Sequence, residues 1–524
     1  MAEEAEGMIS DAQPSAAGGA QRARRDKSPR LFGKLGRAAA LNPLQSKTRT
    51  STTEPRMANS GDRTMKRRQF LGATAATVAT LTAKGEALAA SRRKPNFIIV
   101  LCDDLGWGDI EPEGGKGIHT PNINQLAKEG NVLTDYYAPQ NICTPSRAGL
   151  LTGRYAIRTG LAYSVILPND DRRLPLSEVT IAAALKPAGY VSALFGKWHL
   201  GHTGPTWEPT HHGFDHFFGL QYSHDMKPLA LYTDNGPDQE PAREDAIEDQ
   251  LQERFYTAAE KFITDNVDRP FFVELALSAP HLPNYPNAKF RDKTMQGLYA
   301  DTVVEIDTIV GRLMERLKAL GLERDTLLIF TSDNGPWYEG STGGLRDRKG
   351  GAAYDGGYRL PCIARQPDVV KPGIRTNSIA MGIDFLPTFC AMAGIPNPAG
   401  VELDGLDISA VLTKGAASPH DQLLLFNDEE VVAVRTQRWK YATRSHYRGA
   451  LASTENVGYP QLYDISKDIS ENYSVAAVQP AALADMQERM KAARAKFEPL
   501  KAKQPPKVFR DRMQQLLKEQ LSQD

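Results

Sequence analysis

A chain of 524 residues with 41% hydrophobic and 24% charged residues has room for two or three globular domains and the composition of an ordinary soluble protein. Lys+Arg and Asp+Glu both number 63, so the formal net charge is zero, and neither nucleic acid nor an anionic membrane surface is indicated as the main partner. The cysteines Cys102, Cys143, Cys362 and Cys390 show no CxxC pairing and no zinc-like spacing, and a chain of this size needs no disulfide framework.

Residues 1–64 are rich in Ala, Ser, Gly and Arg without apolar periodicity, and read as disordered. From Met65 the stretch MKRRQFLGATAATVATLTAKGEALAAS carries the pair Arg67-Arg68, a weakly apolar run from Phe70 to Leu81, and a small-residue site at Ala87-Leu88-Ala89. Residues 65–89 thus resemble a bacterial twin-arginine signal peptide. The apolar run is too short to cross a bilayer, so no stable membrane span is expected. The resemblance implies the twin-arginine export machinery as a partner, a mature chain beginning near Ala90, and a periplasmic or secreted location. An export signal opens a protein, so translation is expected to start at Met65 or Met57.

From Pro95 strands and helices alternate. NFIIVLCDD is a continuous apolar run ending in two acids, the pattern of a strand buried on both faces. TPNINQLAKEG reads as a helix stopping at Gly130, and SRAGLLTG as another. SEVTIAAALKPAGY reads as a helix capped by Ser177 and Gly189, with a strand through Phe195 after it. PFFVELAL and TLLIFTSDNG are two further buried strands. Between them Val303, Ile306, Val310, Leu313, Leu317 and Leu320 keep the steps of three and four that mark one helix face. PCIARQP gives a short strand and DFLPTFCAMAGI a helix. Residues 91–415 therefore form an α/β domain on a large, mostly parallel sheet. The pattern changes over residues 416–524, where DQLLLFNDEEVVAVRTQRWKYATR reads as antiparallel strands and QLYDISKDISEN as a turn before a C-terminal helix. This is a smaller α+β subdomain with a helical tail.

The chemistry-bearing residues sit where such sheets gather ligands, at the carboxyl ends of strands. Asp103-Asp104 follows the first strand, Asp333-Asn334 follows LLIFTS, and His281 follows FFVELALS. One acidic pair would be a solvated turn. Two such pairs ending long apolar strands supply hard oxygen ligands that suit Ca²⁺ or Mg²⁺ and not zinc. GKWHLG places Lys197 and His199 two apart on an extended segment, hence on one side. Seven of the ten histidines fall between His199 and His281, and as a group they suggest acid–base work beside an anionic substrate. In NICTPSRAGLLTG a lone cysteine stands before a proline turn and a helix. The bland reading of Cys143 is a small buried core residue. The sharper one is a nucleophile in an anion-binding pocket, since the helix dipole and Arg147 both favour negative charge there.

CTPSRAGLLTG resembles the type I sulfatase signature, Cys-x-Pro-x-Arg followed by Thr-Gly. A chance match of these five fixed residues in a chain of this length has odds on the order of 10⁻⁴ from average residue usage. The resemblance extends from PNFIIVLCDDLGWGD to LYDISKDISEN and implies an alkaline phosphatase/sulfatase-like fold. It implies an arylsulfatase-like sulfuric ester hydrolase whose Cys143 is oxidised to Cα-formylglycine by a formylglycine-generating enzyme, the hydrated aldehyde being the nucleophile. Carried over by position, it implies one Ca²⁺ bound by Asp103, Asp104, Asp333 and Asn334, with modified Cys143 beside it. Arg147 would hold the hydrate, and Lys197, His281 and Lys349 would contact the sulfate and the leaving oxygen. His199 would orient one hydroxyl and later remove its proton. FFGLQYSHD resembles the arylsulfatase A branch, where Ser223 would also touch the sulfate. One departure stands out: family members place the lysine five residues before Glu-Gly-Gly, whereas Lys349 lies six before Asp355. The partner implied is a sulfated small molecule or carbohydrate. Two rivals remain, a formylglycine-dependent phosphonate monoester or phosphodiester hydrolase, and a non-catalytic protein that binds sulfated sugars.

Overall fold

The computed structural model describes residues 93–447 and 450–521, so the segments 1–64 and 65–89 lie outside the described residues. The run NFIIVLC is strand β1 (Asn96–Cys102), buried throughout. Helix α1 (Pro121–Glu129) and the short strands β2 (Asn131–Leu133) and β3 (Tyr136–Tyr137) precede helix α2 (Cys143–Thr152). Helix α3 (Ile181–Leu185) leads to β4 (Val191–Lys197), then β5 (His216–Leu220), β6 (Ala230–Asp234) and β7 (Ala242–Asp245). Helix α4 (Leu251–Asp265), β8 (Phe271–Ala276), helix α5 (Leu298–Ala319) and β9 (Thr326–Ser332) follow. After the short helix α6 (Asp355–Tyr358) come β10 (Cys362–Arg365), β11 (Ile374–Thr376), β12 (Ala380–Met381) and helix α7 (Phe385–Met392).

Of these strands, β3 and β12 pair with each other in parallel, and the other ten build one sheet in the order β11-β2-β10-β9-β1-β8-β4-β5-β6-β7. Its centre, from β9 to β5, is parallel, while β10 runs antiparallel to both neighbours and β6 and β7 close the far edge antiparallel. Alternate residues of β1 feed two cores: Phe97, Ile99 and Leu101 face one, and Ile98, Val100 and Cys102 the other. Both faces are covered, which is why the strand reads as an unbroken apolar run instead of alternating. The second core takes α5 through Val303, Ile306, Val310, Leu313 and Leu317.

The later segment adds a four-stranded antiparallel sheet. Its strands are β13 (Leu423–Asn427), β14 (Glu430–Arg435) and β15 (Trp439–Ala442); after a hairpin of β16 (Arg444–Tyr447) and β17 (Ala450–Ser453), β18 (Gln461–Asp464) completes it. Helices α8 (Pro480–Phe497) and α9 (Lys507–Leu521) end the described chain. Leu423, Leu425 and Phe497 share the core that holds Phe97 and Leu101.

Two expectations need correcting. The cap of α3 is Thr180, whose hydroxyl accepts from the Ala183 amide at 3.1 Å, and not Ser177, which lies in a preceding turn. QLYD is not a turn but β18, paired with β15, its apolar Leu462 buried in the sheet core. Strands β5 to β7 were not anticipated; β7 reads Ala-Arg-Glu-Asp and is exposed throughout, so no apolar pattern announces it.

Candidate active site

β1 and β9 lie in parallel register from Asn96 opposite Thr326 to Cys102 opposite Ser332. Asp103-Asp104 and Asp333-Asn334 therefore leave the sheet side by side. β8 flanks β1 on its other side and β4 lies beyond, so the segments carrying His281 and Lys197 emerge at the same edge. This is the crevice where open α/β sheets bind ligands. Asp104 takes a left-handed backbone, φ 67°. Its Oδ1 accepts from Asn334 Nδ2 at 2.7 Å and its Oδ2 from Lys349 Nζ at 2.8 Å, while its amide donates to Asp333 Oδ1 at 3.2 Å.

Helix α2 points its first turn at these acids. It begins at Cys143 itself, after an extended Ile142, and not at Ser146. Pro145 is tolerated because amides of a first turn have no helical acceptor to lose. Gly149 lets the helix close on the preceding chain, since a Cβ there would stand 2.5 Å from the Pro139 Cβ. Gly153 ends it in left-handed backbone, φ 68°. Arg147, one turn in and 1% exposed, contacts Asp333 Oδ2 through Nε and Nη2 at 2.9 Å each. Its Nη1 donates to Lys197 O at 2.9 Å, and Nη2 is 3.6 Å from Asp103 Oδ1. Cys143 Sγ is likewise 3.6 Å from Asp103 Oδ1.

The electrostatics fix the state of the unmodified sulfur. Burial pushes the Cys143 thiol up to about 12; Lys197 and Lys349 oppose this, and Asp333 and Asp103 reinforce it. The unmodified sulfur is a neutral thiol at ordinary pH and a poor nucleophile, because desolvation outweighs the two lysines. The lysines serve the acids instead. Lys197 Nζ is 2.7 Å from Asp103 Oδ2, both side chains fully buried. Burial works against both charges, yet Asp103 raises the lysine, and Lys197, His281 and Arg147 hold the Asp103 carboxyl well below its usual range. At Asp333 burial wins, pushing the carboxyl up to about 6 against the pull of Arg147.

The two histidines present opposite nitrogens. His199, at φ 59°, sets Nε2 3.0 Å from Ile166 O. A carbonyl cannot donate, so Nε2 carries the proton, and the buried Nδ1, without a hydrogen-bond partner, presents a lone pair. Burial and then Lys197 push this imidazole well below its ordinary value and keep it neutral. His281 gives Nδ1 to Leu282 O at 2.5 Å and leaves Nε2 3.7 Å from Asp104 Oδ2.

Lys349 reaches the acids from a turn that Asp347 closes, its carboxylate accepting from the Arg348 and Ala352 amides at 3.0 and 2.7 Å. Asp355 does not join the site; it is buried against Lys440 Nζ at 2.6 Å and the Tyr137 hydroxyl at 2.9 Å. Ser223 and His224 are buried, the Ser223 hydroxyl without a hydrogen-bond partner, and beside them the exposed Asp225 has its carboxyl held low, against partial desolvation, by His281 and Lys197.

The residues fit a hard divalent cation. One ligand atom each from Asp103, Asp104, Cys143 and His281 lies within 4.8 Å of the others. Asp333 adjoins through its contact with the Asp104 amide, and Asn334 Oδ1 is buried without a hydrogen-bond partner. An orphaned amide oxygen beside three buried carboxylates is a set of acceptors that an oxygen-seeking cation satisfies. Sequence reasoning missed His224, whose ring lies 5.6 Å from that of His281 and whose Nε2 is 3.0 Å from His281 O. Its signal was its place directly after Ser223. The histidines do not act as one group: His202, His211, His212 and His216 take partners at Pro168 O, Glu208, Thr206 O and Asn235.

Comparison with known proteins gives a family for the chain. The family model described as Sulfatase matches residues 95–395, and that for N-sulphoglucosamine sulphohydrolase, C-terminal, matches 346–498. Arylsulfatase A of Homo sapiens is 38% identical over 429 residues, covering 73% of this chain and 83% of that protein. Arylsulfatase G of Rattus norvegicus is 30% identical over 436 residues, covering 72% and 82%. A sulfatase structure from Pseudoalteromonas sp. superposes with a TM-score of 0.72 at 29% identity, covering 80% of this chain and 93% of that one. A phosphonate monoester hydrolase from Silicibacter pomeroyi shares the fold alone, at 19% identity and a TM-score of 0.56, covering 78% and 96%.

Proposed function

The chain belongs to the sulfatase family and is a sulfuric ester hydrolase, and from that premise we propose an arylsulfatase-type enzyme with Cys143 converted to Cα-formylglycine and one Ca²⁺ held by Asp103, Asp104, Asp333 and Asn334. The observation that carries this reading is the juxtaposition of a buried, unreactive Cys143 thiol with Asp103, Arg147, Lys197 and Lys349. Members of the family generally use formylglycine and a divalent metal. A hydrated aldehyde at position 143 would supply a nucleophilic hydroxyl and a second hydroxyl as the route of release, and a cation held by Asp103, Asp104, Asp333 and Asn334 would supply positive charge for the sulfuryl oxygens.

The remaining work falls to this chain's side chains. Arg147, fixed on Asp333 and the Lys197 carbonyl, orients the residue at position 143. Lys197 and Lys349 hold positive charge toward the sulfuryl oxygens, and Ser223 adds a hydroxyl. His281 Nε2, or Lys349, gives a proton to the departing alcohol oxygen. His199 Nδ1, already an unprotonated acceptor, takes the proton given up as sulfate leaves. The net reaction consumes one water and yields the alcohol and sulfate.

The test is mass spectrometry of the peptide containing residue 143, expected about 18 Da lighter than its cysteine form and distinct from ordinary thiol oxidation products. An unmodified cysteine in a fully active preparation would refute the assignment. Turnover of nitrophenyl sulfate against phenyl phosphonate esters separates sulfatase from phosphonate hydrolase, and the arylsulfatase relatives support the former. Any turnover excludes a mere binding protein.

Residues 65–89 extend the proposal to export of the folded, already modified enzyme by the twin-arginine route to the periplasm or beyond. Among the described residues no helix is long and apolar enough to cross a membrane. Replacing Arg67 and Arg68 with Lys should retain the protein in the cytoplasm with residue 143 still modified.

A further inference from the structure

Next to His281 the surface opens into a cavity of about 770 Å³ whose walls include Ile118, Leu282, Pro283, Tyr285, Leu298 and Tyr299. It is joined to the site through rings. Tyr285 stands edge-on to His224 at 6.2 Å, and His224 in turn to His281 at 5.6 Å. The cavity therefore begins beside the histidine that faces the leaving oxygen.

Its wall is built, not loose. The loop between Tyr285 and Leu298 is pinned to α5 from within: Asp301 accepts from the amides of Asp292, Lys293 and Thr294 at 2.8, 3.2 and 2.9 Å. Glu305 accepts from the Asn287 amide at 2.9 Å. A wall held this way loses little freedom when a ligand enters.

Its charge is one-sided. Asp109 and Glu339 line the cavity, and among the described residues no Lys, Arg or His side chain does. The Asp109 carboxylate is fixed by the Gly106 and Ser341 amides at 2.7 and 2.8 Å and by the Tyr299 hydroxyl at 2.5 Å. Lys293 and His119 open instead on a neighbouring hollow.

We propose that this cavity is the subsite for the leaving alcohol and that it selects an uncharged ring, an aryl group or a neutral hexose, carrying a single sulfate. The proposal rests on the sulfate-ester reading above. Tyr285, Pro283 and Tyr299 offer flat apolar faces to a ring. A second sulfate or a carboxylate on that ring would meet the exposed Glu339 carboxylate, with buried Asp109 in the wall, and no cation lines the cavity.

The full-length enzyme should be assayed with 4-nitrophenyl sulfate, a neutral hexose monosulfate, and the same hexose bearing a second sulfate. The singly charged esters should be favoured in kcat/KM by about tenfold, the scale of one like charge ~10 Å away near a protein surface. Glu339→Lys should raise kcat/KM for the disulfate relative to the monosulfate. Tyr285→Ala should raise KM for both ring esters and not for methyl sulfate, with Tyr285→Phe restoring it. Faster turnover of aryl or of hexose ester tells which ring is preferred, and either result agrees with the proposal. A disulfate cleaved as well as the monosulfate, or an unchanged ratio in Glu339→Lys, would overturn the subsite alone. No turnover of any ester by protein modified at residue 143 would overturn the sulfate-ester reading and the subsite with it.

Discussion

Glu274 offers a test of the electrostatics that does not depend on turnover. It lies in the middle of β8, 1% exposed, opposite Ile99 on β1 and Leu194 on β4. Its Oε2 has no hydrogen-bond partner, and burial pushes the carboxyl from its ordinary 4.5 up to about 7, Arg147 pulling the other way. A folded value above the unfolded one means that the native state holds the proton more tightly. The associated stability is full below about pH 4.5 and is lost as pH rises through about 7. At 1.36 kcal/mol per pH unit, the gap between 4.5 and about 7 amounts to about 3 kcal/mol. Glu274→Gln keeps the shape and removes the ionisation. Urea unfolding followed by tryptophan fluorescence should find the variant within about 1 kcal/mol of wild type at pH 5 and more stable by about 3 kcal/mol at pH 8. The difference between the two proteins isolates this residue from Glu113 and Glu305, which burial also pushes up to about 7. A variant equally stable, or less stable, than wild type at pH 8 would show that Glu274 is not a buried, proton-holding carboxyl.

Three further outcomes are expected. His199→Ala should lower kcat by about 10²–10⁴ with a much smaller change in KM, as removal of a proton acceptor does, and single-turnover kinetics should show slow sulfate release. Lys440→Met removes the partner of buried Asp355 and Glu471 and should cost about 3–5 kcal/mol, read from denaturant midpoints. Chelation should lower the thermal midpoint and added Ca²⁺ should restore it, because the cation binds only the folded state; Asn334→Ala should shrink that shift, and a midpoint indifferent to chelator would count against the site.

The central sheet was legible because its strands are buried on both faces and announce themselves as apolar runs, as NFIIVLC and TLLIFTS do. The acids were legible for the same reason, each pair interrupting such a run at its end. Strand β7 was not, since an edge strand in contact with solvent needs no apolar signature, as Ala-Arg-Glu-Asp shows; β5 and β6 lie inside the sheet but are five residues each, with half-buried positions interrupting their apolar ones. The state of Cys143 was also beyond the sequence. Helix position and a nearby arginine favour negative charge there, but burial depends on how α2 is seated, and burial decides the state of the bare thiol. His199 illustrates a third kind of gap. GKWHLG reads as an extended segment, whereas the strand ends at Lys197 and His199 turns left-handed to set its Nε2 on Ile166 O.

The longer interval between Lys349 and Asp355 finds its account in how both ends are held. At one end the Lys349 amide donates to Pro336 O at 3.1 Å and the Gly350 amide to Asn141 O at 2.9 Å, two residues ahead of Cys143. At the other, Glu471 accepts the Asp355 amide at 2.7 Å, and Lys440 bridges Asp355 and Glu471 at 2.6 and 2.8 Å. Arg435 extends the network, donating to the Tyr137 hydroxyl at 3.0 Å and to Asp135 at 2.6 Å. Lys440 and Arg435 belong to the four-stranded sheet, so that sheet fixes the far end of the loop that carries Lys349. With both ends anchored, an added residue between them alters the path of the turn and not the place of the ammonium group, which lies 2.8 Å from Asp104. The smaller acid follows from the same arrangement. Asp355 answers to a buried lysine and a tyrosine hydroxyl, and its side-chain length is set by the distance to them instead of by the catalytic crevice.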